Sequence, residues 1–437
     1  MGLAAAAAMT KGRLILLVLL ALQAALVAFE PPRPARGDEP YYVEKARYFV
    51  EHGAFPRATA AHFAAVRGEG GNSDWRPPGY PLFVAVVSLG DFEIDGLRRR
   101  VTAVQFLLIA AAVWCAFVSL ERRALSPRML LVAAVIFGLA PWPYAHASLI
   151  SPESLNASVA MFALLLLERG KIAAGSLLSC TFLLRPEMLA VVPFPVAAAV
   201  FRRWSWRDAT KATAVFLLVL GVQYAYRIHF TGELSLSPFG PLRIYNEGAF
   251  AWANSWTGTE HEAYDFVYGL DQRDTTGELP ERAFADEAER REITLLRQRV
   301  RREGLTWELD GEFAEVARRR KEEHPFLAVV VPRLWHTVHL WLNTETNEQL
   351  LHALSFVPRA VRRPLIGALL LLKLALVVAF FYGLRRRPVC ATFVIARTLL
   401  IGLVLNWMVN RYMVAAWLPL MLVSMSACTA SRSSRPT

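Results

Sequence analysis

An all-α polytopic membrane protein is what this sequence predicts: about ten transmembrane helices, with further juxtamembrane helices on the outer face. Three observations carry that expectation. Of 437 residues, 55% are hydrophobic and only 19% are charged. The apolar residues fall in runs, and a helix needs about 20 of them to cross a hydrocarbon core. The net charge of +11 gathers in short loops between the runs, where cytoplasmic loops carry their Lys and Arg.

The first run, residues 14–29 (LILLVLLALQAALVAF), follows Lys11 and Arg13 and lacks a small-x-small cleavage site. It reads as an uncleaved first helix that leaves the N-terminus cytoplasmic. Residues 30–97 then lie outside, and 79–90 (GYPLFVAVVSLG) is too short to cross, so it is expected at the outer interface. Further spans are predicted near 100–120, 129–145, 154–167, 172–184, 188–201, 212–228, 364–384, 389–408 and 412–428. The segment 326–342 carries Pro332, Arg333, His336 and His339, which are costly near a bilayer centre, and is expected to be interfacial or re-entrant. This divides the chain into a transmembrane module (1–228), an extracytoplasmic loop with interfacial helices (229–342) and C-terminal transmembrane helices (343–437). The mixed charges of 281–304 suit a solvated helix face.

The basic loops, such as Arg122–Arg123, Arg202–Arg203 and Arg385–Arg387, orient the chain and give no reason to expect nucleic acid. Cys115, Cys180, Cys390 and Cys428 show no metal-ligand spacing and imply no disulfide. No Walker loop, HExxH or GxSxG is found, which argues against nucleotide hydrolysis, zinc proteolysis and serine-hydrolase chemistry.

The informative polar residues collect on the outer side. In GDEPYYVEKARYF, Asp38 and Glu39 precede an amphipathic helix with Tyr42, Ala46, Phe49 and Val50 along one stripe. Asp38 either caps that helix or presents a carboxylate at headgroup level; spacing leaves both open. In WRPPGYP the prolines force an extended lead into the next helix, with Arg76 placed to anchor at the interface or to meet a phosphate. Glu153 in LISPES, Arg185 in LLRPEML and Arg411 in NRY add charge at outer helix ends, each with local capping or snorkelling as the alternative. The sequon at Asn156 falls within a span and is accidental. Lys373 and Arg397 are charged residues inside spans, expected to snorkel or pair.

GDEPYYVEKARYFVEHGAFP followed by RPPGYPLFVAVV resembles the opening of GT-C glycosyltransferases, in particular the bacterial branch related to protein O-mannosyltransferases and the lipid A aminoarabinose transferase. ASLISPES, LLRPEML, FAEVARRRKEEHPF and NRYMVAAWLPL are similar to later phrases of that group. Where the group has Lys-Pro-Pro, this chain has Arg76, a planar fork in place of a point charge. The resemblance implies a GT-C-like bundle in the bacterial inner membrane with its active site facing the periplasm. The donor would be a polyprenyl-phosphate-linked sugar, and the acceptor a lipid, polysaccharide or protein hydroxyl. Asp38 would be the general base and Glu39 its neighbour or substitute. Arg76, Arg185 and Arg411 would contact phosphate, with Tyr42 and Glu153 also at the substrate. The resemblance implies that Glu153 would position the acceptor or, as the matching residue in some relatives, help hold a divalent metal; with no carboxylate or His constellation at helical spacing, no metal or other cofactor is expected here. Tyr245, Trp252 and Trp256 are sugar-stacking candidates by composition. The competing expectations are a flippase for a polyprenyl-linked sugar and a catalytically silent protein of the same fold.

Overall fold

The computed structural model describes residues 3–28, 38–55, 77–123, 125–144, 146–171, 173–185, 205–231, 247–258, 260–273, 277–342, 358–404 and 413–427. Among them there are helices and no strand. Helix α1 (Leu3–Ala28) is followed by α2 (Glu39–His52), α3 (Gly79–Ser88), α4 (Ile94–Glu121), α5 (Pro127–Leu139), α6 (Pro152–Leu167), α7 (Ala173–Leu184) and α8 (Trp206–Thr231). Next come α9 (Glu247–Ala253), α10 (Glu260–Asp271), α11 (Glu287–Glu303), α12 (Trp307–Glu323) and α13 (Val331–Leu342). Helices α14 (Arg359–Gly383), α15 (Pro388–Thr398) and α16 (Val414–Ser426) close the described chain.

Four segments are long and apolar enough to cross a membrane: Met9–Ala28, Ile94–Glu121, Trp206–Tyr226 and Ala360–Arg386. The chain is therefore a membrane protein. Other expected spans are shorter apolar helices, including Pro127–Leu139, Pro152–Leu167 and Val414–Ser426. Their ends have local causes. Ala140 leaves the helical region before Pro141, and Pro127 and Pro152 sit at helix starts, where a missing N–H costs nothing. The expected span at 188–201 lies outside the described residues. Helix α3 has 10 residues, about 15 Å of helix against a core of about 30 Å, so it is too short to cross alone.

Helices α1, α4, α5, α6 and α16 share one apolar core with α7, α8, α14 and α15. The interior charges do not snorkel. Lys373 is buried with its ammonium 5.4 Å and 5.2 Å from the Trp142 and Trp417 ring centroids, and Arg397 is also buried; facing an aromatic ring is one way to hold a desolvated cation. At the opposite end, Arg387 pairs with Glu168 and donates to Ser119 and Ser426, while Arg13 forks onto Glu121 at 2.8–3.1 Å. The cysteines at 115, 180 and 390 are free thiols.

Helices α9–α12 form a separate lobe around Trp252, Val267, Ile293, Leu309 and Phe313. The charged α11 buries Ile293, Leu296 and Val300 against α12 and turns its other face outward, so the solvated-face expectation describes one side only. A π-helical turn, Phe326–Val330, leads into α13. There His336 is fully buried and its Nε2 lies 3.0 Å from the Thr257 carbonyl, while Trp335 donates to Gly258 at 2.8 Å.

Candidate active site

A third, smaller core joins α2, α3 and the starts of α4 and α6: Tyr42, Val43, Ala46, Tyr80, Val84, Leu97, Val101, Ile150 and Leu155. Asp38 occupies the N-cap position of α2, yet its backbone is helical (φ −86, ψ −7) and its side chain makes no capping hydrogen bond. The side-chain capping alternative is thereby excluded, and Asp38 as a residue is half-buried. Glu39 is buried. Its Oε2 receives Arg98 Nη2 at 3.0 Å and its Oε1 receives the Ile150 N–H at 3.0 Å. One carboxylate thus clamps the start of α2 onto both α4 and the 146–151 turn, leaving Asp38 one residue from that clamp.

Tyr42 packs edge-on against Tyr80, with ring centroids 4.8 Å apart. Tyr80 donates to Gln105 Oε1 at 3.1 Å, and Gln105 Nε2 in turn donates to the Ala147 and Leu149 carbonyls at 3.2 Å and 2.8 Å. Burial, then the neighbouring Tyr42 and Glu39, holds the Tyr80 phenol well above its ordinary pKa, against a backbone hydrogen bond from Ser151 and the charge of Arg185. Tyr80 is therefore a neutral donor that fixes the turn before α6. Gly79 makes this approach possible. A Cβ there would lie 2.6 Å from the Leu183 carbonyl oxygen, so only glycine lets α3 sit against the end of α7.

Arg185, just past α7, forms a buried ion pair with Glu153 in the first turn of α6. Nearby, Ser151 holds the α6 N-cap position in extended conformation without a side-chain cap bond. The structure thus brings together Asp38, Glu39, Tyr42, Glu153 and Arg185. Arg76 and Arg411 lie outside the described residues, as does Tyr245. Trp252 is corrected: it is fully buried in the lobe core and its indole N–H donates to Glu289 at 2.7 Å, so it cannot stack on a sugar. Trp256 is likewise buried against Trp252 and Phe266. Asn156 is buried inside α6, so the sequon is unusable. Arg98 and Gln105 escaped sequence reading. Arg98 lies within an Arg-Arg-Arg run that looks like surface charge; a lone Gln in an apolar helix was the available signal for the other. Among the described residues no group of three His, Cys, Asp or Glu could hold a metal.

No protein-family model matches the chain, and no curated protein matches it. Among solved structures it is similar to the archaeal oligosaccharyltransferase AglB from Archaeoglobus fulgidus, determined with an inhibitory peptide and a dolichol-phosphate. The likeness has 12% identity and a TM-score of 0.46, and covers 96% of this chain. The chain spans about half the length of that protein, 50%.

Proposed function

We propose that this protein is a membrane glycosyltransferase of GT-C type, working at the extracytoplasmic face. It would move a sugar from a polyprenyl-phosphate donor to an acceptor hydroxyl on a lipid, polysaccharide or protein. The observation that carries the reading is the division of labour in the Asp-Glu pair. Glu39 is locked between Arg98 and the Ile150 N–H, two residues before the α6 start, and Asp38 is its half-buried chain neighbour.

The acceptor oxygen attacks the anomeric carbon, its proton passes to the Asp38 carboxylate, and the bond from that carbon to the phosphate oxygen breaks. The electron pair leaves with polyprenyl phosphate and the configuration inverts. Removing the proton in this way is worth about 10²–10⁴-fold. Glu39 positions Asp38; it is not a second base. Arg185 is neutralised by Glu153, so charge for the departing phosphate falls to Arg76 and Arg411. No metal is required, and transfer is expected to survive EDTA.

The test uses purified protein in proteoliposomes with a panel of labelled polyprenyl-phosphate sugars. Asp38→Asn should lower turnover by about 10²–10⁴-fold while donor binding and thermal stability hold. Unchanged turnover would remove Asp38 as the base. A flippase is the second reading, favoured by the buried Lys373 and Arg397 within apolar helices; movement of donor across the bilayer without transfer would select it.

A further inference from the structure

Near its end α12 carries four consecutive cations, Arg318 to Lys321, and they do not share one role. Arg318 pairs with Glu315 and Glu322, Arg319 with Glu292, and Arg320 with Glu289. Among the described residues Lys321 has no such carboxylate, and the charged group that acts on it is Arg333 of α13. Desolvation by the surrounding protein, then that positive charge, lowers the Lys321 ammonium below its ordinary pKa. Arg333 likewise has no carboxylate partner among the described residues. Glu323 stands two residues from Lys321, where helical side chains do not face each other, and its charge acts on Arg319. Lys321 keeps solvent access and Arg333 is half-buried, so an anion from outside the chain can reach both.

An apolar face begins at the same place. Phe326, Leu327, Val330, Val331, Leu334 and Val338 recur at close to helical spacing through the π-helical turn and α13, each 40–65% exposed. The opposite face is taken. Pro332, His336 and Leu340 are buried, with His336 beside the Thr257 carbonyl of the lobe and Leu340 in the bundle core. From Phe326 to Val338 the exposed face runs about 18 Å. One apolar face with cations at its start is the pattern of a helix lying along a bilayer surface. A phospholipid offers a phosphate beside acyl chains, whereas a soluble anion would leave the apolar face in water.

We propose that Lys321 and Arg333 form a headgroup site for an anionic phospholipid, with the apolar face of α13 resting on the acyl chains beside it. The lobe thereby docks on the bilayer through α12 and α13. This docking is independent of glycosyl transfer, and activity enters none of its tests.

The experiment is hydrogen–deuterium exchange of the full chain in nanodiscs of phosphatidylcholine with rising phosphatidylglycerol. In wild type, phosphatidylglycerol should slow exchange across 321–338. Lys321→Gln or Arg333→Gln should each raise the phosphatidylglycerol fraction needed for half of that slowing about fivefold, the worth of one basic side chain at a charged membrane. Arg318→Gln removes a cation three residues away and should leave that fraction unchanged. Leu334→Asp keeps both cations and should speed exchange of α13 in either lipid; no change would take the apolar face off the bilayer. No slowing in wild type, or an equal loss in Arg318→Gln, would reduce the pair to general surface charge and overturn the proposal. Equal slowing by soluble glycerol phosphate over phosphatidylcholine discs would overturn the lipid as the occupant. In phosphatidylcholine alone, Lys321→Gln and Arg333→Gln should melt with wild type; a lower melting point would make these side chains structural and also overturn it.

Discussion

Two buried Glu–Arg pairs, one in the lobe and one at the end of the bundle, look alike and differ in their surroundings. Glu289 in the lobe accepts from Arg320 at 2.8 Å, from Trp252 Nε1 at 2.7 Å and from the Ala285 N–H at 2.7 Å. Arg320 also donates to the Ala283 and Arg282 carbonyls. Glu153 and Arg185 form an equally buried pair. A buried ion pair is therefore no sign of function by itself, because desolvation offsets most of its attraction. Both surroundings keep open polar atoms: in the lobe Arg320 Nε and Trp256 Nε1, at the bundle end the hydroxyl and amide oxygens of Ser151, Ser154 and Asn156. The difference is that the lobe carboxylate is also a strut, holding an indole and a backbone N–H in place.

The largest effect should come from breaking the strut. Glu289→Ala leaves Arg320 buried without its carboxylate and orphans two N–H donors, at a cost of about 3–5 kcal/mol. Protease nicking within 281–323 should increase sharply in membranes; an unchanged digestion pattern would make the lobe pair as dispensable as a surface bridge. Arg98→Met comes next. It strands the buried Glu39 and should cost about 2–3 kcal/mol, somewhat less than a fully buried pair because the Arg98 side chain keeps 12% exposure. Since Asp38 rides on that clamp, kcat should fall more than KM rises, with partial recovery in Arg98→Lys. Equal recovery of stability but not of kcat would separate Asp38 positioning from folding.

Gly79→Ala should cost about 1–3 kcal/mol by pushing α3 off the Leu183 carbonyl, read as a lower melting temperature together with weaker donor binding. The smallest effect concerns pH at the start of α4. The Glu93 N–H, then Arg100, lowers Asp91 below its ordinary 3.8, and the Gly96 and Asp95 N–H groups lower Glu93 below 4.5. Groups with depressed pKa values stabilise the fold above their unfolded values and lose that contribution as pH falls through the folded ones. Wild type should therefore lose a little stability below about pH 4 that Glu93→Gln lacks from the outset. Parallel acid melting curves for the two would sink this assignment.

The helices themselves were legible. Hydropathy located the crossing candidates near α1, α4, α8 and α14 to within a few residues. Part of the candidate site stood out too, because Asp38, Glu39 and Glu153 are carboxylates beside apolar runs, where a charge needs a reason. Their roles were not. Nothing in GDEPYY distinguishes the clamped carboxylate from its neighbour, and composition made Trp252 and Trp256 sugar-stacking candidates although they are lobe core.

The sequence by itself determined the all-helical membrane character, since composition and periodicity are local properties that set which segments leave water. Only the tertiary structure decided which charges neutralise each other. Glu39 meets Arg98 across 59 residues and Glu153 meets Arg185 across 32, and pairing at such separations is fixed by how α2, α4, α6 and α7 pack, not by any neighbour in the chain.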